Sequence, residues 1–213
     1  MSPKTAKAPK TANAEDGDKG DRRSPAKAAA PRRSGRPYLP GDLTPAETLA
    51  RMIRVDQAGE YGARRIYEGQ LAVLGRSPAA ATIRRMHEQE LAHLETFDRL
   101  ITERRVRPTL LQPVWHVAGF ALGAATALLG EKAAMACTVA VEEVIDEHYA
   151  GQAERLGEDE AELKATIEKF RAEELEHRDI GLEHDAEGAP AYPVLSGAIK
   201  AGSRLAIWLS ERL

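Results

Sequence analysis

Apolar residues recur at helical spacing from residue 44 to residue 211, and turn-forming residues interrupt them at intervals that set the length of each element. Thr44-Pro45-Ala46-Glu47 pairs a capping threonine with a glutamate three positions on and a proline between them, which predicts the start of a first helix that Gly75 closes. Ser77-Pro78 opens a second helix reaching roughly Arg104. A third apolar run extends from Pro113 to Leu129, and beyond Gly130 a fourth helix continues to Leu156. Asp159 begins a fifth helix ending near Glu183, and a final amphipathic helix spans about Val194 to Glu211. No segment alternates with the period of two that a strand requires, so the pattern predicts six helices and an all-α fold.

Carboxylates and histidines stand where these stripes call for apolar side chains. On the first helix the face at seven-residue spacing reads Ile53, Glu60, Tyr67, Leu74. On the second, Ile83, Met86, Leu94 and Phe97 surround Glu90 and His93; on the fourth, Met135, Val139, Ile145 and Tyr149 surround Glu142; on the fifth, Ile167 and Phe170 neighbour Glu174 and His177. Glu60 and Glu90 are 30 residues apart with the Gly75-Arg76-Ser77 turn near their midpoint, and Glu142 and Glu174 are 32 apart about Glu158. Each antiparallel hairpin therefore lifts its two glutamates to one height. The hairpins also repeat each other: Glu60 to Glu142 is 82 residues, while Glu90 to Glu174 and His93 to His177 are both 84.

One Glu-x-x-His in a glutamate-rich helix is an ordinary solvated face. Two copies, each paired with a stripe glutamate and centred on its own turn, match the carboxylate–histidine constellation of ferritin-like dimetal bundles. Four buried glutamates need a counter-charge, and two divalent cations supply it. Hard oxygen donors with one imidazole per metal suit iron or manganese rather than zinc or copper, and a redox pair that activates O₂ favours iron. Asp56 and Asp146, one turn from Glu60 and Glu142, are candidates to orient the imidazoles, with surface ion pairing as the other reading.

Composition narrows the class further. The 213 residues are 43% apolar, 30% charged and only 5% aromatic, which suits packed helices in one domain better than a β-sandwich. Cys137 is the single cysteine, so no intramolecular disulfide forms, and a small core residue is its expected role. Residues 1–40 hold ten Lys/Arg against four Asp/Glu and six of the twelve prolines, whereas residues 41–213 carry a net charge of −9. The chain thus divides into a disordered basic leader, 1–40, and a helical domain, 41–213. The leader alone offers nothing specific to nucleic acid, and no nucleic-acid partner is expected.

Three blocks resemble the demethoxyubiquinone hydroxylases of ubiquinone biosynthesis: Arg54-Val55-Asp56-Gln57-Ala58-Gly59-Glu60-Tyr61-Gly62-Ala63, Ala136-Cys137-Thr138-Val139-Ala140-Val141-Glu142-Glu143, and Glu173-Glu174-Leu175-Glu176-His177. Asp179-Ile180-Gly181-Leu182 and Leu209-Ser210-Glu211-Arg212-Leu213 are similar too, and the likeness covers residues 41–213. The resemblance implies a ferritin-like four-helix bundle with two additional apolar or amphipathic helices. It implies two iron ions on Glu60, Glu90, His93, Glu142, Glu174 and His177, with Glu90 and Glu174 bridging. The implied reaction is hydroxylation of a polyprenyl demethoxyubiquinol ring with O₂ as co-substrate and NADH or the quinol as electron donor. His148 and Tyr149 match a family His-Tyr pair and are candidates to relay protons or electrons, against a reading as a core Tyr and a half-exposed His.

A polyprenyl substrate directs attention to residues Pro108 to Gly130, 23 positions without a formal charge. The run is long enough to cross a bilayer, but a crossing would put half of the ligand set on each side of it. The segment is expected to lie in the membrane interface or to roof an apolar channel, making the protein peripheral. The cytoplasmic face of a bacterial inner membrane is the expected location, with the mitochondrial matrix face as the alternative. A lipid-presenting partner of the biosynthetic complex and self-association are both compatible with that placement. An iron-storing ferritin relative and a non-enzymatic lipid-binding scaffold are the competing readings.

Overall fold

A computed structural model describes residues 41–213, and the expected leader 1–40 lies outside the described residues. The helices are α1 (Pro45–Leu74), α2 (Ala80–Glu103), α3 (Gln112–Leu128), α4 (Glu131–Arg155), α5 (Ala161–Glu183) and α6 (Tyr192–Ser210). Among the described residues there is no strand. The Thr44 capping box forms at both ends, with Glu47 N–H donating to Thr44 Oγ1 at 3.2 Å and Thr44 N–H to Glu47 Oε2 at 2.8 Å.

One boundary reading changes. Ser77-Pro78 does not start α2: the pair forms a turn in which Ala80 N–H donates to Ser77 O, and α2 begins at Ala80 without a side-chain cap. Gly75 closes α1 as its position predicts, with φ −60°. It is small because a Cβ would sit 2.5 Å from Leu71 O. Gly130 needs glycine's backbone freedom, at φ +110° between α3 and α4.

The pairing repeats itself. Helix α1 packs on α2 and α3, and α4 packs on α5 and α6, so the α1–α2 and α4–α5 hairpins form the bundle while α3 and α6 flank it. Two apolar clusters fill the bundle. One joins Met52, Ile53, Phe97, Tyr149, Ile167 and Phe170, and the other joins Tyr67, Ile83, Met86, Met135 and Val139. On every bundle helix the glutamates of interest fall in sequence between the two clusters, so a polar layer is sandwiched by apolar ones. Cys137 is a core residue against Ile66, Ala140 and Val141, and burial pushes its thiol up to about 12.

Glycines let α3 lie close against α1. A Cβ on Gly123 would come within 1.9 Å of Ile66 O, one on Gly119 within 2.8 Å of Gly62 O, and one on Gly69 within 2.2 Å of Phe120 O. Gly123→Ala therefore has to push two helix backbones apart. We expect a loss on the order of 1–3 kcal/mol, read as a lower melting midpoint by circular dichroism, whereas Gly151→Ala, with nothing within 4 Å, holds or gains stability. An unchanged midpoint for Gly123→Ala would contradict this packing.

Candidate metal centre

All six predicted side chains converge. Glu60, Glu90, His93 and Glu174 form one set and Glu90, Glu142, Glu174 and His177 a second, and within each set one ligand atom per residue lies within 4.8 Å of the others. Glu90 and Glu174 belong to both. All six residues are at most 4% exposed. His93 Nδ1 is 3.0 Å from Glu174 Oε1 and 3.5 Å from Glu60 Oε2, while His177 Nδ1 is 3.0 Å from Glu174 Oε2 and 3.2 Å from Glu90 Oε1. Both imidazoles thus aim Nδ1 at the carboxylates.

The residues fit a pair of hard cations. Despite these close approaches, neither Glu90 oxygen nor His93 Nδ1, all buried, completes a well-directed hydrogen bond, an arrangement that destabilises a protein unless something positive sits there. The donor set is oxygen-rich, with one imidazole in each half.

Around this set lies a shell that also obeys the repeat. Tyr149, on α4, donates its hydroxyl to Glu60 Oε1, and Tyr67, on α1, donates to Glu142 Oε1 at 3.1 Å. The two tyrosines are 82 residues apart, like the glutamates they serve, and they cross over. His93 Nε2 meets Glu173 Oε2 at 2.8 Å and His177 Nε2 meets Gln89 Oε1 at 3.1 Å, another crossed pair, offset by 84.

Several sequence readings change here. Asp56 and Asp146 do not orient the ligand histidines. Asp56 accepts from Gln152 Nε2 at 2.7 Å and pairs with His148 Nε2 at 3.2 Å, and Asp146 accepts from Arg171 at 2.6 Å. Pointing one turn along α1 or α4 does not bring them behind imidazoles carried on α2 and α5. Glu173 and Gln89 take that place, and Tyr67 joins Tyr149. The 82-residue offset, applied to every polar residue rather than to the ligands alone, would have paired Tyr67 with Tyr149, whereas Glu173 and Gln89 differ in type and leave no such signal. Tyr149 touches the cluster, whereas His148 stands behind it, its ring 6.2 Å from that of Tyr149.

Electrostatics follow from this packing. Burial, and then the Glu174 charge, push Glu90 and Glu142 well above the usual carboxylate range, and burial raises Glu60 too. Burial works against an ionised Glu174, yet His177 and His93 hold it down to about 2. Burial likewise opposes an imidazolium, but Glu174 and Glu60 raise His93 to about 12, and Glu174 and Glu142 raise His177.

These directions determine how the metal-free protein responds to pH. Glu60, Glu90 and Glu142 keep protons in the folded state at pH values where the unfolded chain has released them, and His93 and His177 do so above about 6.5. The folded state then binds more protons than the unfolded, so stability falls as pH rises through and above neutrality. Glu174 acts oppositely, but only between about 2 and the ordinary carboxylate value. A cation displaces the extra protons, so its stabilisation grows with pH. The gain in melting midpoint on adding Mn(II) should be larger at pH 8 than at pH 5.5, and equal gains would contradict a proton-holding cluster.

An apolar cavity of about 530 Å³ adjoins the bundle between α1, α3, α4 and α6. Its wall includes Gly59 and Val141, the sequence neighbours of Glu60 and Glu142, and it runs past Ile145 and Leu122 to Trp115 and Ser210. On α6 the lining falls at Leu195, Ile199, Gly202 and Ala206. Leu205 faces outward at 56% exposure.

A family model described as ubiquinone biosynthesis protein COQ7 matches residues 47–210. The 3-demethoxyubiquinol 3-hydroxylase of Rhodospirillum rubrum is 65% identical over 186 residues, covering 87% of this chain and 88% of that protein. The mitochondrial NADPH-dependent 3-demethoxyubiquinone 3-hydroxylase of Homo sapiens is 60% identical over 167 residues, 76% of this chain and 77% of its own length. The mitochondrial 5-demethoxyubiquinone hydroxylase of Saccharomyces cerevisiae is 45% identical over 182 residues, 78% of each chain. With a match across nearly all of the helical domain and relatives at these identities, the chain belongs to the COQ7 family of demethoxyubiquinone hydroxylases.

Proposed function

We propose that this protein is a diiron monooxygenase that hydroxylates the ring of a polyprenyl demethoxyubiquinol. The observation that carries the reading is a pair of carboxylate–histidine sets sharing Glu90 and Glu174, placed beside an apolar cavity. Glu60 and His93 would hold one iron, Glu142 and His177 the other, with Glu90 and Glu174 between them. Bound there, two irons supply the electrons and Lewis acidity for activating O₂.

The chain's own residues do the rest. Apolar walls on α1, α3, α4 and α6 exclude water and accommodate a quinol ring with its isoprenoid tail. Tyr149 and Tyr67 fix the orientation of Glu60 and Glu142 through their hydroxyl protons. His148, hydrogen-bonded to Asp56 and 11% exposed, and Tyr149, bonded to Glu60, would relay protons or electrons between the surface and the cluster. The mitochondrial relatives are named NADPH-dependent, which supports a reduced nicotinamide as electron donor, with the quinol itself as the alternative.

Membrane contact belongs to the same reading. No described helix is long and apolar enough to cross a membrane. Val114, Val117, Leu128 and Leu129 on and beside α3, with Val194, Leu205 and Trp208 on α6, are exposed apolar side chains on the two helices that wall the cavity. A peripheral contact at these helices would put the tail within reach of the cavity. Trp115 and Phe120 are the less suitable contacts: Trp115 turns inward to donate to Ser210 Oγ at 2.9 Å, and the Arg65 guanidinium covers the Phe120 ring. The inner membrane of a bacterium, cytoplasmic side, is the proposed location, with the mitochondrial matrix side as alternative.

Anaerobically purified protein loaded with Fe(II) and given O₂, reductant and a short-chain demethoxyquinone should bind close to two irons and add one oxygen to the ring, detected by mass spectrometry. Glu90→Ala and Glu174→Ala should lose both. Rapid iron oxidation without ring hydroxylation would favour the ferritin-like alternative, and no iron binding would end the reading. Leu128→Glu with Trp208→Glu should release the protein from anionic liposomes in a flotation assay while leaving iron content unchanged; unaltered flotation would remove the membrane contact.

A further inference from the structure

The centre is nearly symmetric, and the places where its symmetry fails are informative. Under the 82- and 84-residue offsets Glu60 matches Glu142, Glu90 matches Glu174, His93 matches His177 and Tyr67 matches Tyr149. Directly behind the imidazoles the match breaks, because Glu173 corresponds to Gln89.

We propose that this one exchange makes the two halves of the centre unequal, so that the Glu60/His93 half holds its metal ion more tightly and fills first. The inference rests on the dimetal reading above. Each imidazole aims Nδ1 at the cluster, so a metal-bound ring carries its proton on Nε2 and needs an acceptor there. His93 donates to a carboxylate, Glu173 Oε2, at 2.8 Å; His177 donates to a neutral amide oxygen, Gln89 Oε1, at 3.1 Å. A carboxylate draws the Nε2 proton more strongly than an amide, which raises electron density at Nδ1 and makes His93 the better donor. Lys169, 3.5 Å from the other Glu173 oxygen, lies at the surface at 67% exposure, where water weakens its pull.

A second break in symmetry falls on the same side. Asp56, one turn from Glu60, corresponds to Thr138, one turn from Glu142. Gln152 donates to Asp56 at 2.7 Å where its counterpart Gln70 reaches Thr138 Oγ1 at 3.5 Å. Both exchanges place the extra carboxyl group on the Glu60/His93 half, the arrangement that attracts a cation. Glu173 and Gln89 are positioning residues in this scheme, since each acts through a histidine.

The test is a titration of the metal-free full-length protein with Co(II), followed by calorimetry and by visible absorption, which reports each ligand environment. Two binding steps of different affinity are expected. Glu173→Gln should weaken the tighter step by about 10–100-fold and bring the two together, and Gln89→Glu should tighten the weaker one. His93→Ala should remove the tighter step and leave the weaker. Glu and Gln are nearly isosteric, and unchanged helicity by circular dichroism shows that the fold persists. Two equal steps in the unaltered protein, or a separation indifferent to both exchanges, overturn the inference while leaving the dimetal reading in place. Failure to bind two cobalt ions overturns both.

Discussion

Burying four carboxylates at one level of a helical bundle is the constraint from which the rest of the architecture follows. An ionised carboxylate in an apolar interior is destabilised by several kcal/mol, so the layer persists only with counter-charge or protons. The bundle responds in three ways. Two imidazoles sit among the carboxylates, two tyrosine hydroxyls bond the outer glutamates, and apolar clusters close the layer from both ends. The orphaned Glu90 oxygens show that these devices do not suffice by themselves. A buried carboxylate–histidine layer left incomplete in this way could hold cations.

The flanking helices answer a separate demand. A bundle that closed its apolar stripes on all sides would leave no apolar space beside the glutamate layer. Here α3 lies close on α1 through glycine contacts, α6 lies on α4, and the space between them remains open as an apolar cavity. The same two helices turn further apolar residues outward. A long uncharged stretch that is too glycine-rich and too short as a helix to span a bilayer is thereby used as a wall. Its inward face lines the cavity and its outward face carries exposed apolar side chains.

Near-symmetry followed by selective departure gives the centre its character. Duplicate hairpins place ligands of the same type at matched heights, and the crossed tyrosines and crossed imidazole acceptors show that the correspondence reaches beyond the ligands. Against that background Glu173/Gln89 and Asp56/Thr138 stand out as exchanges of charge on a common frame. Two chemically similar half-sites can in this way be given different electrostatic surroundings without altering the ligands.

Much of this was legible in the sequence. The six helices, the four inward glutamates with their two histidines, and the common height of the set followed from helical periodicity, since a residue's face and its distance from a turn are local properties of the chain. The reading was weaker wherever partners came from different helices. Asp56 and Asp146 were plausible supports by spacing along one helix, but only the facing of α2 and α5 put Glu173 and Gln89 behind the imidazoles. Ser77 resembled a cap until packing decided which turn closed. Periodicity assigns each side chain to a face, whereas the neighbour it meets there, and hence its charge state and chemistry, depends on how the helices are set against one another.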